Sequence, residues 1–200
     1  DALVNIDLEK RVYRQKHHSL QFVRLGTSGA VQKDIPVDSF VASAFGLGFD
    51  GLLHFYSHKA GVRETELEEA FIRQTEWGKD LARPYIVKAS DTLLNQVAAG
   101  FTRGLTLTAN GFYGPQGRQL RLPLAFPLLN DHIESFKHDG LRITNFEMET
   151  SALYALSKLL GHQALTVCAI IANRAAGTYS KDYKPAIERL IDHVLQHFSQ

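Results

Sequence analysis

The chain has 200 residues, of which 44% are hydrophobic and 22% charged, enough for one substantial core and unlike the composition of a disordered protein. Twenty-two Lys and Arg against 21 Asp and Glu leave a net charge of +1, which gives no electrostatic case for nucleic acid or an anionic membrane as the partner.

Residues 1–15 set Leu3, Ile6 and Val12 among charges and predict a helix. Lys10, Arg11, Arg14, Lys16, His17 and His18 then form a basic run. Acids stand nearby and no aromatic platform interleaves the charges, so a solvated helix end is the better reading than a nucleic-acid patch. Residues 20–25 read as a strand that ends in the small-residue loop Gly26-Thr27-Ser28-Gly29, and residues 37–45 as a second strand. Residues 46–63 carry several glycines with His54 and His58 and read as irregular. Leu67, Ala70, Phe71 and Trp77 predict a helix over 64–77. Tyr85 to Lys88 is a short strand, and Asp91 caps a helix from Thr92 to Ala99 that Gly100 ends.

Residues 105–109 form the next strand. A turn-rich loop over 110–117 continues, with Pro123 and Pro127, as a long connection over 119–130. Glu147 to Leu160 is a helix whose Met148, Ala152, Ala155, Leu156 and Leu159 share a face, with Gly161 at its end. The apolar run 165–172 fits a strand buried on both faces. Pro185 opens a last helix, with Ile187, Leu190, Ile191, Val194, Leu195 and Phe198 along one stripe. Strands alternating with helices make the class α/β, with a mixed, largely parallel sheet.

Three segments carry polar groups that a plain loop does not need. In Arg24-Leu25-Gly26-Thr27-Ser28-Gly29, an arginine inside a strand is costly to bury unless it meets an anion, and its planar fork fits phosphate. The alternative is an arginine paired with a carboxylate beside an ordinary turn. In Phe112-Tyr113-Gly114-Pro115-Gln116-Gly117-Arg118, Phe112 offers a stacking face, Gln116 a donor and an acceptor, and Arg118 fixed donors. Together they suit the edge of a planar heterocycle; the alternative is a Gly/Pro turn with surface polar residues. In Asn145-Phe146-Glu147-Met148-Glu149, acids near a helix start serve as caps. Glu149 is also a candidate acceptor for sugar hydroxyls, with Met148 packed beneath the ring.

In their order along the chain these segments resemble the uridine phosphorylase branch of the nucleoside phosphorylase family, from about Gln21 to Arg174. Residues 24–29 resemble the family's R-[IL]-G-T-[ST]-G phosphate loop. Phe112-Tyr113 with Gln116-Gly117-Arg118 is similar to its F-Y-x-x-Q-x-R base motif. Asn145-Phe146-Glu147-Met148-Glu149 is similar to its N-[YF]-E-M-E ribose motif, and Ala169 to Arg174 looks like the strand that closes the pocket. The resemblance implies a three-layer αβα fold and phosphorolysis of uridine to uracil and ribose 1-phosphate. It places phosphate on Arg24, Gly26 and Thr27; ribose on Thr27, Met148 and Glu149; and uracil on Phe112, Gln116 and Arg118, with Ile171 and Ala172 on its far side. Arg24, Arg118 and Glu149 would carry the catalysis. Ala172-Asn173-Arg174 stands where the purine branch has a Ser-Asp pair, which favours a pyrimidine.

Inorganic phosphate is the implied co-substrate, with no cofactor or metal, and a homo-oligomer, dimer or hexamer, is implied. The family's G-D-P-x-R phosphate loop has no counterpart in these 200 residues. The expectation is therefore one domain of this type over residues 1–200, without the family's N-terminal segment. A nucleoside-binding protein without catalysis, or a nucleosidase that uses water, are the competing readings; Arg24 argues against the second. The single cysteine, Cys168, excludes an internal disulfide and reads as a small core residue. No apolar run approaches the ~20 residues that span a bilayer. The opening residues also lack the regions of a signal peptide, so the expected compartment is the cytoplasm. His54 and His58 stand at an i, i+4 spacing without a third metal ligand, so a surface or pocket-edge role is expected.

Overall fold

The computed structural model describes residues 1–57 and 61–199. The elements in chain order are α1 (Ala2–Asn5), β1 (Ile6–Asp7), β2 (Val12–Tyr13), β3 (Gln21–Ala30), β4 (Phe40–Gly48), a 3-10 turn (Leu52–Phe55), α2 (Thr65–Gln74), β5 (Tyr85–Lys88), α3 (Asp91–Val97), β6 (Thr102–Thr108), a second 3-10 turn (Gly114–Gln116), α4 (Leu129–Ser135), β7 (Lys137–His138), β8 (Leu141–Glu147), α5 (Thr150–Leu159), β9 (Gln163–Asn173), β10 (Thr178–Tyr179) and α6 (Lys184–Phe198). Among the described residues, no helix is long and apolar enough to cross a membrane.

The main sheet runs β10-β9-β3-β8-β6-β4-β5 and is mixed. Its longest ladders, β3 with β9 and β4 with β6, are parallel. β9 also pairs antiparallel with β4, so the sheet curls back on itself into a closed circuit. Period-2 alternation splits the strands between two cores. In β5, Tyr85 and Val87 face one core and Ile86 the other. Leu93, Leu94 and Val97 of α3, Tyr154 and Ala155 of α5, and Leu190 and Val194 of α6 cover the first face. Leu67, Ala70 and Phe71 of α2, with Leu129 and Ile133 of α4, cover the second. Helices on both sheet faces make the three-layer αβα arrangement.

Several local expectations are corrected. Residues 1–15 are not one helix: the Asp7 carboxylate accepts from the N–H groups of Glu9 and Lys10, and this side-chain turn sets up the β1–β2 hairpin. Gly26-Thr27-Ser28-Gly29 is strand rather than loop, because pairing with β9 continues from Gln21 to Ala30 with one register shift between Ser28 and Gly29. The α3 cap is Ser90, whose hydroxyl accepts from Leu93 N–H, not Asp91. Residues 145–147 close β8, and α5 starts at Thr150 rather than Glu147. Helix α4 and strand β8 are additions that weak periodicity concealed. In α6, Leu190 and Val194 are buried while Ile191, Leu195 and Phe198 stay exposed, so the core takes only part of the apolar stripe.

Candidate active site

Arg24 lies in mid-β3, with its guanidinium folded back along the strand. A Cβ on Gly26 would stand 2.8 Å from Arg24 Nη1, so the glycine makes the room. Nη1 lies 3.3 Å from Glu147 Oε2 and donates to Cys168 Sγ at 3.7 Å, and Nη2 donates to Glu149 Oε2. Burial works against the charge of Arg24; Cys168, Glu147 and Glu149 more than offset it, and the guanidinium is held above its ordinary pKa. β8 pairs with β3 only at Gly29 and Ala30, which leaves Arg24 to Thr27 without a ladder partner on that side; Ser28 is buried, and its hydroxyl accepts from Asn145 of β8. Thr27, half-buried, sits on this stretch beside Ala169.

The two carboxylates that meet Arg24 differ sharply. The Glu147 side chain is 1% exposed. It accepts from Thr108 Oγ1 at 2.6 Å and from the N–H groups of Glu149 and Thr150 at 2.9 Å, which seals the start of α5. The Glu149 side chain is 57% exposed and held only by Arg24 among the described residues. Met148, between them, is exposed. One carboxylate is thus a fixture and the other a movable group at the surface of the site.

Cys168 is fully buried on β9 next to Gly26. Burial pushes its thiol up to about 11, against the pull of Arg24. At pH 8 only about one thiol in a thousand would then be thiolate, so native protein should resist thiol reagents and unfolded protein should react fully. A stoichiometric colour yield with a disulfide reagent on native protein, at the unfolded rate, would contradict this burial.

The residues expected to meet a base gather around the second 3-10 turn and the end of β9. Gln116 is buried, and its Oε1 accepts from Arg118 Nη1 at 2.9 Å and from Arg174 Nη2. Arg174 Nη1 also donates to the Gln116 carbonyl at 2.9 Å. Both lone pairs of the amide oxygen are engaged, which leaves the NH2 as the part of the Gln116 amide that can still donate. The Arg118 guanidinium lies 4.0 Å above the Phe112 ring, which is itself 54% exposed. Arg174 stacks at 4.7 Å on Phe146, and its Nε is buried without a partner among the described residues. Burial lowers the pKa of Arg118; burial, with Arg118 alongside, lowers that of Arg174. Ile171 and Ala172, half-buried on β9, precede Arg174. Gly29 abuts Arg174, where a Cβ would meet Nε at 3.4 Å, so β3 backs both arginine groups.

Arg174 and Glu147 are the members that sequence reasoning did not assign. Arg174 ends an apolar strand, which was its available signal; Glu147 stands inside the ribose motif. A cavity of about 690 Å³ opens beside the cluster, walled by Phe49, Trp77, Leu81, Leu122 and Phe126 and touching Arg118. Arg24, Met148 and Glu149 are not among the residues that line it. His54 Nε2 lies 2.7 Å from the Arg83 carbonyl, and His58 lies outside the described residues. Among the described residues, no group of three His, Cys, Asp or Glu is placed to hold a metal.

The arrangement has counterparts among known proteins. A uridine phosphorylase from Thermococcus kodakarensis is 28% identical over 166 residues, which is 80% of this chain and 51% of that protein. The chain thus spans about half the length of the curated relative it matches. A Trypanosoma brucei nucleoside phosphorylase, described as showing uridine phosphorylase activity, superposes with a TM-score of 0.85 at 24% identity, over 99% of this chain and 73% of that one. Uridine phosphorylase from Schistosoma mansoni in its apo form gives 0.58 at 22% identity, over 92% and 61%. These two likenesses show the fold. The model of the phosphorylase superfamily matches residues 14–197, a span that takes in Arg24, the Gln116–Arg118–Arg174 cluster and Glu149. On that match, the chain belongs to the phosphorylase superfamily.

Proposed function

We propose that the protein carrying this chain phosphorolyses uridine to uracil and ribose 1-phosphate. The observation that supports it is the donor-only edge made by Gln116 Nε2, Arg118 and Arg174, set against the same strand as Arg24. Uracil offers the carbonyl acceptors O2 and O4 to these donors, with its N3–H between them. Cytosine offers O2 and a bare N3 but an amino donor at position 4, so a donor set at position 4 meets an acceptor in uracil and another donor in cytosine.

Phosphate takes Arg24 from Glu149, and the freed Glu149 accepts from the ribose hydroxyls above Met148. Phosphate then attacks C1′ as the glycosidic bond breaks through a cation-like sugar. Negative charge spreads over the departing uracil, and Gln116, Arg118 and Arg174 stabilise it as it develops. Arg24 contributes by holding the nucleophile in line. The chemistry takes inorganic phosphate as co-substrate and needs no cofactor or metal. A homo-oligomer in a reducing cytoplasm, where Cys168 stays a thiol, completes this reading.

One observation favours a second reading, nucleoside binding without turnover. A single guanidinium meets two carboxylates, and the surplus negative charge opposes phosphate. Uracil release from uridine, with and without phosphate, separates the readings. Phosphate-dependent release, with cytidine slower by about 100-fold or more, is expected. Equal release without phosphate would identify a nucleosidase, binding without release the non-catalytic protein, and equal rates on inosine would sink the pyrimidine assignment.

A further inference from the structure

Thr108 ends β6 directly beside Glu147 at the end of β8. Its hydroxyl oxygen accepts from the Ser151 N–H at 2.9 Å and lies 2.6 Å from Glu147 Oε1. A hydroxyl that accepts from the main chain keeps one proton to donate, and a carboxylate can only accept, so the proton is committed to Glu147. Ser151 is itself fixed. It donates from Oγ to Asp50 Oδ2 at 2.8 Å, and Gly46 and Gly48 of β4 let α5 start hard against the sheet. A Cβ on Gly46 would stand 3.1 Å from Ser151 Cα, and one on Gly48 2.7 Å from Ser151 Oγ.

We propose that Thr108 is a positioning residue for the phosphate arginine. It locks the Glu147 carboxylate, which in turn holds Nη1 of Arg24, so that Nη2 can exchange Glu149 for phosphate without the guanidinium losing its aim. The inference rests on the phosphorolysis reading above and deepens it. Phosphate recognition by an arginine needs a planar fork at a set angle. Of the two carboxylates on Arg24, only the buried one can set that angle, because an exposed pair is weak and readily exchanged. Glu147 keeps its orientation through three fixed donors, and Thr108 is the only side chain among them. Without the hydroxyl, Oε1 loses its shortest bond, the carboxylate turns toward the helix N–H groups, and Arg24 swings with Glu149. Thr108 touches neither phosphate nor nucleoside in this arrangement, so it acts only through Glu147 and Arg24.

The test compares Thr108→Val with Thr108→Ser, and uses Thr108→Ala if the valine variant does not fold. Loss of the hydroxyl should raise the phosphate KM about 10-fold, the cost of one charge-assisted contact, with the uridine KM within about twofold. Serine should restore the phosphate KM. An unchanged phosphate KM in the valine variant, an equal rise in both KM values, or a serine variant as poor as valine would overturn the proposal. Rotation of the Arg24 guanidinium, followed by NMR in the unliganded protein, needs no turnover. It should be hindered in the wild type and in Thr108→Ser, and free in Thr108→Val. If the wild type fails to release uracil with phosphate, the phosphorolysis reading falls. This rotation then decides the positioning role alone, and equal hindrance in all three proteins overturns it.

Discussion

Replacing Arg118 with alanine should lower phosphate-dependent uracil release by about 100- to 1,000-fold, the usual loss for one preorganised donor to a developing anion. The fold should hardly notice. Arg118 lies over the exposed ring of Phe112, donates to the Phe112 carbonyl at 2.6 Å and to Gln116 Oε1 at 2.9 Å, and fills no core position. Gln116 keeps Arg174 as its second partner, so the amide should stay oriented. A loss of activity with a melting temperature within a few degrees of wild type is therefore expected; truncating this half-buried side chain breaks two hydrogen bonds but opens no core cavity, and should cost about 1 kcal/mol. Uracil release within about threefold of wild type would remove Arg118 from the site. The same loss accompanied by a large fall in melting temperature would mean that the residue braces the loop rather than the leaving base.

Gly48→Ala should destabilise the whole domain. The added Cβ would lie 2.6 Å from two ring atoms of Tyr85 and 2.7 Å from Ser151 Oγ. Tyr85 is fully buried and donates from its hydroxyl to Asp50 at 2.8 Å, so the ring has nowhere to go. Overpacking of this kind costs about 1–3 kcal/mol. At roughly 2–4 °C per kcal/mol for a chain of this size, the melting temperature should fall by roughly 2–12 °C. Ser151 lies in the first turn of α5 and donates from its N–H to Thr108, so displacement there should also weaken phosphate use. Gly114→Ala is the control: a Cβ there meets nothing within 4 Å, and its stability should match wild type. Equal melting temperatures for the two variants would show that β4 and α5 are not in the close contact described.

Much of the architecture was written locally. Leu67, Ala70 and Phe71 repeat at helical spacing, and all three are buried under one sheet face. The apolar run 165–172 lies within β9, the strand that pairs with both β3 and β4. Such patterns survive because burial of one stripe or two faces leaves its period in the chain. The run around Arg24 stood out as a buried charge in need of a partner, although its strand character did not show: glycines suggest turns until a neighbouring strand gives them a ladder to join. The helix expected over residues 1–15 showed the opposite failure: it stops at Asn5, and Asp7 then captures two N–H groups in a turn where the spacing of Leu3 and Ile6 allowed helix to continue.

The amino-acid sequence by itself determined the α/β class, most of the elements and the three segments that hold the polar groups. Only the tertiary structure decided which of those groups meet. It brings Arg174 to Gln116 across 58 positions of chain, and Arg24 to Glu149 across 125. It also makes Glu147 the buried partner of Arg24 and Glu149 the exposed one. Periodicity records which side of an element is buried. Which elements become neighbours depends on strand order and on the closure of β9 onto β4, and no local pattern carries that information.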